Sequence, residues 1–350
     1  MKNFLTVLLT VFTLGSFAQR VSKPYFVIGR GQMPNVTMDR LHHVHIVYGS
    51  GDSIFYTYSK DNAKIFAKPS LVTVLPKVYT FATRGPQIAA TKNGLVITAV
   101  TSNGNIHSFY KTNESNRWTR GKGVNDVNDI AKEGLTGLSA DGDHVVAVWL
   151  DLRNTNRNKI YSARSIDGGK SWLKNILVYA SPDSTVCECC KPSVIIKDDN
   201  VYVMFRNWLN GNRDLYLAKS RDGGKSFNKP FKLGNGSWRL KGCPMDGGGM
   251  AVNSKGDVQS VWQREGKIYA AMPGKPEKEI GEGRSCTMEN INNKILYTWT
   301  EKGAIIILHP QGRKQVVGKG SHPIVKALNN ESAICVWENE KQIHASIIQL

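Results

Sequence analysis

The chain lacks any sustained helical periodicity, which argues against helix bundles and alternating α/β folds. Beyond its first twenty residues it has no run of eighteen uninterrupted apolar residues, so no transmembrane helix is expected. It is poor in acid: 28 Asp and Glu stand against 46 Lys and Arg, a net charge of +18. A basic surface favours anionic partners such as acidic glycans, nucleic acid, lipid headgroups or cell-wall polymers. The bases are spread along the chain, however, with no basic helix and no nucleic-acid motif, and nucleic acid is not expected as a partner. A basic surface that simply keeps the protein soluble is an equal alternative. Cysteine is also scarce, yet three of the six fall together in TVCECCKP, at Cys187, Cys189 and Cys190.

What is present begins with MKNFLTVLLTVFTLGSFAQR. Lys2, the apolar run Leu5 to Leu14 and the small-residue site Ser16-Phe17-Ala18 read as a secretory signal peptide over residues 1–19. The apolar run is too short to span a bilayer as an anchor. The expectation is a secreted or periplasmic protein, residues 20–350, in a compartment where disulfides persist. About 330 residues suffice for one large domain, here expected as a monomer.

Self-similarity indicates the fold. Units starting at His43, Gly94, His144, Asn200, Asp257, Lys294 and Ser332 each show an alternating apolar run, a polar turn and a second alternating run. That is a β-hairpin. A short strand that begins near Pro, Gly or Cys precedes each hairpin (PNVTM, GPQIAA, KPSVII, HPIVKA), and another follows most of them (SLVTVL, KNILVYA, KQVVGKG). Four strands per unit predict an all-β propeller of seven blades, with six as the alternative if one weak unit merges. The seventh unit ends at Leu350 without a fourth strand, while FVIGRGQMP near the start matches KQVVGKGSHP. The segment Tyr25 to Gly29 is therefore expected to close the ring as the outer strand of the last blade.

Between third and fourth strands lie SIDGGKSW and SRDGGKSF, with a worn copy, SKDNAKIF, from Ser59. Asp167 and Asp222 suit bonds to their own turns, as do Ser165 and Ser220. Gly168, Gly169, Gly223 and Gly224 permit positive φ, and Trp172 and Phe227 can enter the blade core. S-x-D-G-G-x-x-W resembles the Asp box of the sialidase superfamily and its BNR-repeat relatives, and with the repeat pattern the resemblance spans nearly all of the chain after residue 19. It implies a propeller whose Asp boxes lie on the face away from the active site. It also implies an arginine triad for a sialate carboxylate, an Asp acid/base and a Tyr–Glu nucleophile. Where the family carries F/Y-R-I-P, this chain reads GRGQMPNV, with Arg30 and Pro34 at a different spacing.

In a propeller, ligands bind among the loops that cross from one blade to the next, on the face opposite the Asp boxes. Cys187, Cys189 and Cys190 lead into blade four, Cys243 into blade five and Cys286 into blade six, while Cys335 falls on a second strand as a core thiol. Three readings stay open for the cluster: disulfides, such as Cys187 or Cys189 with Cys243; a copper or zinc site, with Met33, Met245 or His322 nearby; and a catalytic thiolate. Adjacent Cys189 and Cys190 are not expected to pair with each other. On the same face Arg84, Arg153, Arg206, Arg213 and Arg239 could clamp an anion, and Trp208 and Trp238 could stack on a sugar. Asp151, Asp246 and Glu188 are candidate acids, with Asp151 and Asp246 as the pair for hydrolysis. Arg153 and Arg213 could equally pair with Asp151 and Asp214 across their turns. Trp149, Trp262, Trp299 and Trp337 are assigned to the core. Two functions follow as expectations. One is a sialidase-like protein acting on or binding an acidic glycan, a glycoside hydrolase if it is an enzyme. The other is a non-catalytic binding propeller with a Cys-rich, copper or zinc site.

Overall fold

The computed structural model of the protein describes residues 25–350, so the signal-peptide reading lies outside the described residues. Twenty-eight strands form seven four-stranded antiparallel sheets, and the described residues contain no helix. Seven blades are therefore the count. The strands that line the axis are Gln32–Met38, Gln87–Ala90, Thr136–Asp141, Ser193–Lys197, Gly249–Val252, Arg284–Ile291 and Ser321–Ala327. The ring closes as expected: Phe26–Arg30 pairs with the last strand, Gln342–Gln349, and completes the blade built by Ser321–Ala327 and Ser332–Asn339.

Burial explains the sequence of each strand type. Second strands such as Gly94–Val100 and His144–Asp151 are covered by neighbouring blades on both faces, so they read as nearly continuous apolar runs. Outer strands meet water and are short; in blades two and four they are the pairs Thr119–Arg120 and Phe231–Lys232. Trp149, Trp299 and Trp337 are fully buried and Trp262 nearly so, as their second-strand positions predicted.

A recurring G-x-G joins successive blades. It occurs on outer strands as Gly29-Arg30-Gly31, Gly281-Glu282-Gly283 and Gly318-Lys319-Gly320. Each pair lies against the second-strand aromatic of the next blade. A Cβ on Gly281 would stand 2.5 Å from Trp299, one on Gly318 would stand 2.6 Å from Trp337, and one on Gly29 would meet Tyr48. The absent side chains thus make the slots that hold these rings, and Trp337 Nε1 adds a 2.8 Å bond to the Lys319 carbonyl.

The S-x-D turns are self-contained. Asp167 accepts from Ser165 Oγ (2.7 Å) and Ser171 N (3.0 Å), and Asp222 from Ser220 Oγ (2.6 Å) and Ser226 N (3.0 Å). The worn copy folds alike, with Asp61 accepting from Ser59 Oγ at 2.6 Å and Ile65 N at 3.0 Å. Phe227 packs against the core between blades three and four, and Trp172 against that between blades two and three. Gly169 has φ 86° and its equivalent Ala63 has φ 65°. A Cβ on Gly169 would fall 2.3 Å from Val96. Gly169→Ala is therefore expected to cost about 2–4 kcal/mol, from left-handed backbone and overpacking together. Ala63→Gly should instead gain up to about 1 kcal/mol, because it relieves the same backbone penalty. Urea denaturation of both variants checks this; equal midpoints for Gly169→Ala and the parent would refute it.

Candidate functional site: the channel mouth and its cysteine wall

The seven inner strands enclose a cavity of about 700 Å³ along the propeller axis. Its mouth on the cysteine side is shaped by a repeated irregularity. Registers slip between Gln32 and Asn35, between Arg284 and Thr287, and between Ser321 and Ile324. The residues extruded there adopt positive φ: Met33 at 51°, Ser285 at 55° and His322 at 53°. Bulges of this kind re-aim side chains, and non-glycine residues held in the left-handed region cluster at functional sites. All three residues line the cavity.

Lys191 stands at the corresponding place in blade four and also lines the cavity. Its Nζ reaches across the mouth to Gln87 Oε1 at 2.7 Å, and Asn35 Nδ2 donates to that same oxygen at 3.2 Å. Among the described residues no carboxylate pairs with Lys191, and burial alone lowers its pKa to about 8. His322 is lowered to about 4 by burial and by the positive charges of Arg284 and Lys191, so it is neutral near pH 7. The other end of the channel differs: there Lys326 is paired to Glu289 at 3.1 Å.

Asp246 lines the same cavity. Its carboxylate accepts from Ser285 N at 2.7 Å, and burial raises its pKa despite that bond and the Arg206 and Arg284 charges. Asp151 is placed elsewhere. It is fully buried, holds Trp149 Nε1 at 2.7 Å and is clamped by Arg153 at 2.8 Å and 2.9 Å, and it does not line the cavity.

The other residues named from the sequence also serve the loops. Arg153 bonds Asp126 and Asn175 as well, and stacks on Tyr161 at 4.1 Å. Arg206 is 1 % exposed and donates to three backbone carbonyls, those of Asp246, Arg213 and Gln263. Arg213 stacks on Trp208 at 4.2 Å, lies 3.6 Å from Glu188 and donates to the Leu240 carbonyl. Asp214, its suggested partner, instead accepts from Trp238 N and Ser237 Oγ. Trp238 is buried beneath Arg206. Arg84 is tied to the Glu133 and Ala82 carbonyls, and Arg239 is exposed on the loop surface. None of these lines the cavity.

The cysteines form a wall beside the mouth. Cys189 is disulfide-bonded to Cys243, the second of the two pairings named from the sequence. Cys187 and Cys190 are free and buried, with their sulfurs 3.3 Å apart, and Cys187 Sγ is 3.8 Å from Cys189 Sγ. Arg213 donates to Cys187 Sγ at 3.0 Å. The hydrogen bond between Cys187 and Cys190, with the nearby guanidinium charges, lowers the Cys187 pKa; burial raises that of Cys190. Cys286 is free, buried and raised by burial, and Cys335 is raised to about 12 in the core.

No family model matches this chain, and no curated protein matches it. Solved structures do. The NanB sialidase from Streptococcus pneumoniae is similar at 12% identity over 94% of this chain and 71% of its own, with a TM-score of 0.51. The SapL1 lectin, solved with alpha methyl fucoside, is 12% identical over 83% of this chain and 97% of its own, with a TM-score of 0.52. YCF48, solved bound to D1 peptide, is 12% identical over 93% and 96%, with a TM-score of 0.54. The chain has a sialidase-like β-propeller fold. At such identities the likeness concerns the fold, which hosts enzymes and binding proteins alike.

The Arg and Trp residues expected at the site from the sequence lie on both the hairpin turns (Arg153, Arg206, Trp208, Arg213) and the blade-leading loops (Arg84, Trp238, Arg239). The sequence reading passed over Lys191, Gln87 and Ser285, and weighed Met33 and His322 only as metal ligands. A signal was available: Met33-Pro34, Lys191-Pro192 and His322-Pro323 hold equivalent places before inner strands.

Proposed function

We propose that this protein is an exported binding propeller that takes an anionic ligand, a carboxylate- or sulfate-bearing glycan, at the cysteine-side mouth of its channel. One observation carries the reading: the Lys191 ammonium stands inside the cavity with an amide oxygen as its partner and, among the described residues, no carboxylate paired to it. Lys191 is half-buried, and holding a charge even partly out of water without a counter-charge is costly, so an anion that arrives later would account for it. Ser285 and the neutral His322 flank it and offer polar contacts, and the Met33 thioether offers an apolar one. The fold neighbours support glycan or partner binding in general terms, since they include a sialidase and a lectin. The Cys189–Cys243 disulfide fits an oxidising compartment, and no described helix is long and apolar enough to cross a membrane.

Binding is favoured over hydrolysis for a geometric reason. Most glycoside hydrolases use two carboxyl groups about 5–9.5 Å apart across the scissile bond, and sialidases pair an acid/base with a tyrosine nucleophile instead; among the described residues no tyrosine lines this cavity. Asp246 lines the mouth, whereas Asp151 is saturated by Trp149 and Arg153 outside the cavity. A glycan array followed by calorimetry tests the reading. Acidic glycans should bind and their neutral counterparts should not, with no release of product sugar. Binding of neutral glycans with equal affinity would refute the anionic reading, and sialoside turnover abolished by Asp246→Asn would refute the non-catalytic one.

A further inference from the structure

The disulfide has unequal ends. Cys189 is 7% exposed and lies with Cys187 and Cys190 in a buried group against which Met245 packs. Cys243 is exposed, on the loop around Lys241 and Gly242. A thiol reductant therefore meets Cys243 first. Its thiolate attacks Cys243 Sγ and forms a mixed disulfide, while Cys189 leaves as a thiolate. A second thiol of the reductant then displaces Cys243. The sum is one dithiol oxidised to a disulfide, with Cys189 and Cys243 each reduced to a thiol.

The released Cys189 sulfur would join two others already in place. The sulfurs of Cys187, Cys189 and Cys190 all lie within 4.8 Å of one another. Sulfur ligands about 2.3 Å from one metal ion stand roughly 3.8 Å apart, a spacing inside that range. The neighbouring side chains fit the charge. Arg213 donates to Cys187 Sγ at 3.0 Å. Arg206 is buried beside the cluster, bonded to carbonyls and to no carboxylate among the described residues. Arg206 and Arg213 offset part of the negative charge of three thiolates, with Glu188 3.6 Å from Arg213. Thiolates with a thioether nearby also suit Cu(I).

We propose that Cys187, Cys189 and Cys190 form a Cu(I) site that opens when a dithiol reduces Cys189–Cys243, with Cys189 serving as disulfide partner in one state and metal ligand in the other. The site adjoins the proposed ligand mouth but does not depend on it.

The test compares purified full-length protein before and after treatment with a dithiol reductant that is then removed under argon. Cu(I) is titrated against a chromophoric chelator, and bound metal is measured by elemental mass spectrometry. The untreated protein should retain little copper and the reduced protein about one equivalent. Cys243→Ser cannot form the disulfide and should bind one equivalent without reduction. Cys187→Ser and Cys190→Ser should weaken retention at least tenfold after reduction, while Cys335→Ser, remote in the core, should not. Far-UV circular dichroism and melting confirm that each variant is folded. Equal copper in untreated and reduced protein would overturn the gate. Unchanged retention in folded Cys187→Ser and Cys190→Ser would overturn the site. Zinc retained in place of copper would overturn the choice of ion. Lys191→Met should keep its copper, which separates failure of this site from failure of the anion mouth.

Discussion

Trp337→Ala is expected to lower the unfolding free energy by about 3–5 kcal/mol, the range for truncating a large buried aromatic. The ring is fully buried in the second strand of the blade that joins the two ends of the chain. Gly318 and Gly320 of the preceding blade form its slot, since a Cβ on either would come within 2.6 Å of the indole. Tyr25, beside the closing strand, meets the same ring edge-on with centroids 5.8 Å apart, and His344 stacks on it at 5.7 Å. Removing the indole therefore loosens both the contact between blades six and seven and the closure of the ring. It also leaves the Lys319 carbonyl without its donor. Trp208→Ala is the control. Trp208 is only partly buried and covers one face of Arg213, so a loss under about 1.5 kcal/mol is expected for that stacking contact. Urea titrations monitored by far-UV circular dichroism give both values. Equal losses for the two tryptophans would mean that the glycine slots do not concentrate stability at the blade contacts.

The architecture was legible because its determinants are local and repeated. Alternation and turn residues recur in each unit, the S-x-D-G-G turn occurs in blades three and four, and the match between FVIGRG and QVVGKG identified the closing strand. The worn turn at Asp61 was legible too, since one Ser and one Asp are enough to bond the loop even where Asn62 and Ala63 replace the glycines. The site was less so. Arg153, Arg206 and Arg213 have the side chains that bind anions, but whether a guanidinium faces a ligand or its own loop depends on the groups that surround it; Arg153 takes the nearby Asp151 that the sequence offered, whereas Arg206 and Arg213 take partners from farther along the chain. Arg206 takes its partners from Arg213, Asp246 and Gln263. The same holds in reverse for Lys191, whose partner Gln87 is two blades away. The cysteines fall between these cases: their convergence was readable from the blade-leading loops, whereas the choice of Cys189 for Cys243 needed the loop path.

Lys191→Met should produce two effects of opposite sign. Affinity for an acidic glycan is expected to fall about 10- to 100-fold, the loss of one charge-assisted hydrogen bond worth about 1.5–3 kcal/mol. The unliganded protein should at the same time become more stable, by about 1–2 kcal/mol, because a thioether of similar length replaces an ammonium held without a counter-charge. A residue that is kept at a cost to stability is what a stability–function trade-off predicts for a binding group. Lys326→Met at the other end of the channel is the contrast: its ammonium is paired with Glu289 at 3.1 Å, so its removal should destabilise slightly and leave affinity unchanged. Calorimetric titration and urea denaturation of the two variants separate the outcomes. If Lys191→Met binds acidic glycans as the parent does, the mouth is not the anion site. If it loses affinity and also stability, Lys191 is a structural tie between blades two and four, and the loss of binding reports a distorted mouth rather than a missing charge.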